Sequence, residues 1–226
     1  MSASPELTER YAAVTAGIAE ACRAAGRGVE EVTLVVVTKF HPASLIRDLV
    51  DLGVRHVGEN RHQDAAPKAA ELAELPLTWH FVGQLQSNKA RAVARYSDVV
   101  HSVDRASLVT ALAGAERAVD VFLEVNLTDD PGRGGVAPDE VERLAETVLA
   151  TDHLRLRGLM AVAPLEEQPR QAFARLRVIG ERVRAMAPGA TDLSAGMSGD
   201  YAEAIAEGAT HLRIGTAITG KRPAPQ

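Results

Sequence analysis

Short apolar segments alternate along this chain with segments of helical period. Eight apolar segments have the length and β-branched content of buried strands, and they span 33–38, 54–58, 78–83, 98–103, 119–126, 156–163, 191–196 and 210–215. The pattern between and before them predicts helices at roughly 5–25, 42–53, 104–118, 138–150 and 170–186. In the segment 138–150 the apolar residues recur on one helix face (Val141, Leu144, Ala145 and Val148).

The strict alternation of strands and helices determines the predicted fold class. Such an order implies parallel strands that are joined by right-handed crossovers. Eight strand–helix units, preceded by one additional helix, predict an α/β protein. The predicted fold is a single (β/α)₈ TIM-type barrel with an extra N-terminal helix. A doubly wound open sheet is the alternative. Because no Pro/Gly/Ser-rich linker divides the chain, we expect one domain over residues 1–226.

Composition and charge narrow the class of partner. Of the 226 residues, 46% are hydrophobic and 24% are charged, and the formal net charge is −5. The negative balance argues against a nucleic-acid or anionic-membrane partner. No apolar stretch approaches the ~20 residues that a membrane span needs, and the first residues lack the pattern of a secretory signal. With a single cysteine, Cys22, the chain is typical of a reducing compartment, so we expect a cytoplasmic protein.

A lysine follows the first predicted strand, in the segment "VVVTKFHP" (35–42). Burying an ammonium group is costly, so either the Lys39 stem reaches out to water or its amine has chemistry to perform. A lysine amine attacks a carbonyl only when it is neutral, and partial burial favours that state. The residue alone leaves both interpretations open, and for a lone lysine the water-exposed one is favoured.

The residues that follow the other strands are polar, small or reactive. In a barrel the site is built from these positions, which are Glu59, Asn60, Gly83, Gln84, Asp104, Asn126, Met160, 194–198, Arg213, Gly215 and Thr216. The segments "SAGMSGD" (194–200) and "RIGTAITG" (213–220) follow strands seven and eight, where barrels often hold phosphate. Alternatively, Ser198 and Thr216 are only helix N-caps. Together with Lys39, the two loops predict a site for a phosphorylated carbonyl compound.

Several motifs closely resemble those of one family. They are "VVVTKFHP", "GENRHQD" (58–64), "WHFVGQLQSNK" (79–89), "LSAGMSGDYAEAI" (193–205) and "GATHLRIGTAITGKR" (208–222). In this order they resemble the pyridoxal 5′-phosphate homeostasis proteins, which are single-barrel relatives of the barrel domain of alanine racemase. The resemblance runs through nearly the whole chain.

The resemblance implies a cofactor and a role for each matching residue. The cofactor is pyridoxal 5′-phosphate (PLP), which Lys39 holds as an aldimine while Asn60 lines the ring pocket. The other implied residues bind the phosphate (Ser198, Gly215 and Thr216), shape its loop (Ser194 and Met197) and face the pyridine nitrogen (Arg213). The chain departs from the usual family pattern at Phe40 and His41, which follow the lysine, and at Ala195, where a methionine is common.

The implied function is a carrier rather than an enzyme. An arginine does not readily accept a proton, so it keeps the pyridine nitrogen unprotonated and weakens the ring as an electron sink. The related racemases also use a tyrosine from a second domain, which we do not expect here. The protein would then buffer PLP and deliver it to apo-enzymes, as a monomer or weak homodimer. The alternatives are a PLP-dependent amino-acid racemase, a Schiff-base aldolase acting on a sugar phosphate, and a pure interaction protein.

The histidines do not predict a metal site. The chain has seven of them, with no H-x-x-x-H or C-x-x-C spacing. We expect His80 and His101 to stack in the barrel interior.

Overall fold

The barrel closes through eight parallel strands that pair in chain order. The computed structural model describes residues 3–130 and 132–221. Each strand pairs with the next, and the last pairs with the first. The strands are β1 (Thr33–Val37), β2 (His56–Glu59), β3 (Thr78–Phe81), β4 (Val99–Val103), β5 (Val119–Glu124), β6 (Leu154–Met160), β7 (Asp192–Ser194) and β8 (His211–Ile214). The predicted barrel is confirmed, and closure between β8 and β1 excludes the open sheet.

Helices cover the outside of the barrel. They are α1 (Pro5–Ala24), α2 (Ala43–Asp51), α3 (His62–Glu71), α4 (Ser87–Val93), α5 (Ala106–Ala113), α6 (Val141–Leu149), α7 (Pro169–Met186), α8 (Tyr201–Ala206) and α9 (Thr216–Thr219), with a 3₁₀ turn at Val29–Glu31. The predicted helices are present, although most are shorter than the pattern suggested. Helices α3, α4 and α9 were not predicted, because they are short and α3 contains Pro67. Among the described residues, no helix is long and apolar enough to cross a bilayer.

The extra N-terminal helix is capped and packs against the end of the chain. Ser4 Oγ accepts a hydrogen bond from the Leu7 backbone N–H at 3.2 Å, and Pro5 occupies the first turn, where its missing N–H leaves nothing unsatisfied. The helix buries one stripe of residues (Leu7, Val14, Ile18 and Cys22) and contacts α8 and α9. Arg10 Nε donates to the Ile218 carbonyl at 2.8 Å, so α1 fixes the segment that follows β8.

Two different environments lie on the two faces of the barrel wall. Successive strand residues point to opposite faces. Those that point outward, such as Val36, Val57 and Leu123, join the apolar layer beneath the helices. The interior instead combines a small apolar cluster (Val99, Phe122 and Met160) with buried polar residues (His80, His101, Ser194 and Arg213).

The predicted interior position of His80 and His101 is confirmed. Their ring centroids are 5.1 Å apart, with the planes tilted by 50° rather than parallel. The ring that is stacked on His101 is Phe122, at 4.6 Å and 17°. Among the described residues, no cluster of histidine, cysteine or carboxylate side chains is arranged to hold a metal ion.

Candidate functional site

The candidate site lies at the barrel mouth, which we define as the end formed by the carboxyl ends of the eight strands. Pairing of β8 with β1 brings the segment after β8 against the end of β1. A Cβ atom on Gly215 would lie 3.4 Å from the Val37 carbonyl oxygen, which is van der Waals contact. The closed barrel therefore places Gly215 and Thr216 near Lys39, which is two residues beyond Val37.

Lys39 lies in the turn that follows β1 and is exposed. The stem of Lys39 therefore reaches water, because the strand ends at Val37 and the chain leaves the core after Thr38. The Lys39 Nζ atom is 5.9 Å from the centroid of the Phe40 ring, and the Arg61 guanidinium carbon is 5.5 Å from the same centroid. Phe40 has a φ of +69°, in the left-handed region that large side chains rarely adopt. This turn presents an aromatic face to two cations at the mouth.

A buried ion pair lies behind the Lys39 turn. Lys68 Nζ, on α3, lies 2.7 Å from Glu59 Oε1 and donates to the Thr38 carbonyl at 3.2 Å. Thr38 Oγ1 donates to the same carboxylate oxygen at 2.7 Å. The side chains of Glu59 and Lys68 are only 1% and 12% exposed. The network ties the residue before Lys39 to the end of β2, and sequence reasoning missed Lys68 because α3 was not predicted.

Asn60 faces the mouth with an unsatisfied acceptor. Its side chain is half-buried, and its Oδ1 atom is buried without a hydrogen-bond partner among the described residues. A Cβ atom on Gly83 would lie 2.2 Å from the Asn60 carbonyl oxygen, so only glycine fits beside it. Because buried polar atoms are normally paired, this acceptor is suited to a ligand donor.

Arg213 is a buried cation inside the mouth. Its Nη1 donates to Ser194 Oγ at 2.6 Å and its Nη2 donates to the Ala161 carbonyl at 2.9 Å. Burial lowers the pKa of Arg213 to about 10, against the opposing influence of Glu124 and Asp200, so the guanidinium stays charged at neutral pH. These two bonds use two of its five N–H donors.

Glu124 is a second titratable group at this end of the barrel that the sequence did not single out. It is the last residue of β5. Burial raises the pKa of its carboxyl group, and the neighbouring charge of Asp104 adds to the rise, while Arg213 opposes it. A signal for it was present, since a glutamate directly follows the apolar run Val121–Leu123.

The two predicted phosphate loops contact each other. The Ala217 backbone N–H donates to Ser198 Oγ at 3.4 Å, which joins the segment after β7 to the one after β8. Ser198 and Thr216 are not helix N-caps, so that alternative is wrong. The N-cap of α8 is Asp200, and the N-cap of α9 is Gly215.

The loop after β7 is shaped by one glycine and one aspartate. Gly196 has a φ of +92°, and a Cβ atom there would lie 2.7 Å from the Ala204 Cβ. Asp200 Oδ1 accepts from the Met197 backbone N–H at 2.6 Å, and the Met197 side chain is exposed. Ser194 lies below this loop, in the barrel interior, rather than in the loop itself.

Comparison with known proteins identifies relatives over nearly the full chain. The family model of the alanine racemase N-terminal domain matches residues 11–223. The pyridoxal phosphate homeostasis protein of Pseudomonas aeruginosa is 45% identical and covers 96% of each chain. The one from Mycobacterium tuberculosis is 43% identical and covers 96% of this chain and 93% of its own.

Solved structures show the same fold. PipY of Synechococcus elongatus, with PLP bound, is 36% identical, has a TM-score of 0.80 and covers 95% of this chain and 100% of its own. Alanine racemase of Corynebacterium glutamicum matches in fold only, with a TM-score of 0.68 at 14% identity, over 92% of this chain and 61% of its own.

Proposed function

The chain belongs to the pyridoxal phosphate homeostasis proteins, and on this premise we propose that it holds PLP at the barrel mouth as a reversible store of the cofactor. The observation that carries the proposal is the convergence at one mouth of an exposed amine, a buried cation and two loops joined by a hydrogen bond. These are Lys39, Arg213 and the pair Ser198–Ala217. Bound there, PLP supplies an aldehyde that a lysine amine captures reversibly.

The residues at the mouth fit the parts of this cofactor. Arg213 supplies donors to the pyridine nitrogen, and the orphaned acceptor of Asn60 suits the ring pocket. The phosphate would be held by Ser198, Gly215 and Thr216, with Met197 at the outer edge and Ser194 beneath. The contact of Gly215 with Val37 supports this arrangement, because it places the segment after β8 against the end of the strand that precedes Lys39.

The arrangement favours holding the cofactor over transforming substrates on it. The Arg213 guanidinium is fixed by Ser194 and by the Ala161 carbonyl, and it keeps its proton at neutral pH. It therefore withholds from the ring the proton that strengthens an electron sink. We propose a carrier rather than an enzyme, located in the cytoplasm and acting as a monomer or weak homodimer.

The racemase alternative is favoured by one observation, the raised pKa of Glu124 near Arg213. A carboxyl group so perturbed is suited to proton transfer. Racemisation assays over the common amino acids, with wild type and Glu124→Gln, separate the two functions. A carrier gives no turnover with either form, and turnover that is lost in Glu124→Gln would contradict it.

Titration of the purified protein with PLP tests the proposal. Wild type is expected to become yellow, with a visible absorption band that saturates at one equivalent, and Lys39→Ala is expected to show no such band. Lys89→Ala, at an exposed position on α4, is the matched control and should behave as wild type. A colourless wild type, or a Lys39→Ala variant that binds equally well, would overturn the proposal. Borohydride trapping of a sugar phosphate on the protein, rather than of PLP, would favour the aldolase.

Delivery to apo-enzymes is the second part of the proposed role. Release needs an open site, and the exposed Lys39 at the mouth supports this. The PLP-loaded protein should reactivate an apo-form of a PLP-dependent enzyme faster than free PLP at the same concentration does. Equal rates would contradict delivery while leaving storage intact.

A further inference from the structure

A continuous row of hydrogen bonds runs through the barrel interior to Arg213. His56 Nδ1 lies 3.0 Å from His80 Nε2, and His80 Nδ1 lies 2.8 Å from His101 Nε2. His101 Nδ1 lies 2.8 Å from Ser194 Oγ, which accepts from Arg213 Nη1 at 2.6 Å. We call His56, His80, His101 and Ser194 the histidine relay. The function proposed above uses its last member only.

The last hydrogen bond fixes the direction of all the others. An arginine has only donors, so Ser194 Oγ accepts from Arg213. Among the described residues its one other hydrogen-bond partner is His101 Nδ1, so the buried hydroxyl donates its own proton there. His101 then carries its proton on Nε2 and donates it to His80 Nδ1. His80 donates in the same way from Nε2 to His56 Nδ1. The geometry therefore assigns one tautomer, protonated on Nε2, to both interior histidines.

The relay is buried in its middle and borders a cavity at its far end. His101 and Ser194 are 0% exposed and His80 is 1% exposed, so each buried polar atom depends on its neighbour. Burial lowers the pKa of His101 and of His80, and neighbouring histidines add to the effect, so both rings are neutral at physiological pH. His56 borders a cavity of about 310 Å³ at the amino end of the barrel.

We propose that His80 and His101 are positioning residues, which act through Ser194 to hold the Arg213 guanidinium in a fixed orientation at the cofactor end of the barrel. A long arginine side chain has many rotamers, and among the described residues the hydrogen bonds of this one go to Ser194 and to the Ala161 carbonyl. Ser194 Oγ keeps its lone pair directed at Arg213 because it donates its own proton to His101. The role toward the cofactor rests on the proposed PLP binding.

The first test compares variants of His101 by PLP titration. His101→Phe keeps the stacking on Phe122 but removes both ring nitrogens. We expect its Kd for PLP to rise about tenfold, as when a hydrogen bond to a charged group is lost. His101→Gln keeps one acceptor and one donor and should restore wild-type affinity, and His153→Asn, at an exposed position outside the relay, should change nothing. A folded His101→Phe with wild-type Kd would overturn the proposal.

Two further measurements decide the remaining cases. If His101→Phe does not fold, Ser194→Ala removes the link to Arg213, and an unchanged Kd would again contradict the proposal. Nitrogen-15 NMR of the protein without PLP measures the histidine tautomers and the mobility of the Arg213 guanidinium directly. We expect His101 to be protonated on Nε2 and the two Arg213 Nη atoms to give separate signals that merge in His101→Phe. A proton on His101 Nδ1, or Arg213 signals that the variant leaves unchanged, would overturn the proposal even if wild type binds no PLP.

Discussion

Removal of the Lys68 side chain is the sharpest test of how the Lys39 turn is held. Lys68→Ala leaves the Glu59 carboxylate, 1% exposed, with the Thr38 hydroxyl as its remaining partner. Its other oxygen, Oε2, already lacks a hydrogen-bond partner among the described residues. A buried charge that loses its counter-ion is strongly destabilising, because the attraction that offset its desolvation is gone.

The expected magnitude follows from this burial. Breaking a buried ion pair costs about 3–5 kcal/mol of unfolding free energy. In a chain of this size each kcal/mol corresponds to about 2–4 °C. Lys68→Ala should therefore lower the Tm of the protein without PLP by about 6–20 °C.

Urea and thermal unfolding measure this effect, with two comparison variants. The double variant Glu59→Gln/Lys68→Met removes both charges at similar volume and should be more stable than Lys68→Ala. Arg91→Ala breaks an exposed ion pair with Glu116 and should leave the Tm almost unchanged, because exposed pairs contribute little. If Lys68→Ala is as stable as Arg91→Ala, the conclusion that Glu59 and Lys68 form a buried, stabilising ion pair is refuted.

Two further predictions concern stability. Burial lowers the pKa of His211 to about 4, whereas an unfolded histidine titrates near 6.5. The unfolded state therefore binds a proton that the native state does not. Lowering the pH from 8 to 5 should therefore reduce the unfolding free energy of wild type by about 2 kcal/mol through His211. In urea unfolding, His211→Phe should lose about 2 kcal/mol less than wild type over this pH range. Equal losses in the two proteins would contradict the lowered pKa of His211. Gly196→Ala should lower the unfolding free energy by about 1–3 kcal/mol and weaken PLP binding, since a φ of +92° is strained for alanine. Gly199→Ala, with open space around its Cβ position, should change the unfolding free energy little. Equal unfolding curves for the two variants would contradict the role of Gly196 in the loop.

The alternation of strands and helices was enough to predict the barrel and the residues that meet at its mouth. Parallel strands bring their carboxyl ends to one side, so Ser198 and Gly215 could be placed together although they are far apart in sequence. The contact between Ala217 and Ser198 confirms that the two loops adjoin.

Features that depend on side-chain direction could not be predicted. The exposure of Lys39 follows from where β1 ends, and a run of β-branched residues does not mark that end. The ion pair of Lys68 needs a short polar helix that contains Pro67, for which the sequence pattern is weak. The histidine relay needs the strand register, since His56, His80 and His101 come from three different strands.

The central claim, capture of PLP by Lys39, is tested most directly by chemical reduction. The chain has four lysines, Lys39, Lys68, Lys89 and Lys221, so peptide mapping assigns an adduct without ambiguity. The protein is saturated with PLP, treated with borohydride, digested and analysed by mass spectrometry. We predict a phosphopyridoxyl adduct on the peptide that contains Lys39 and on no other. An adduct on a different lysine, or none at all, would contradict the account.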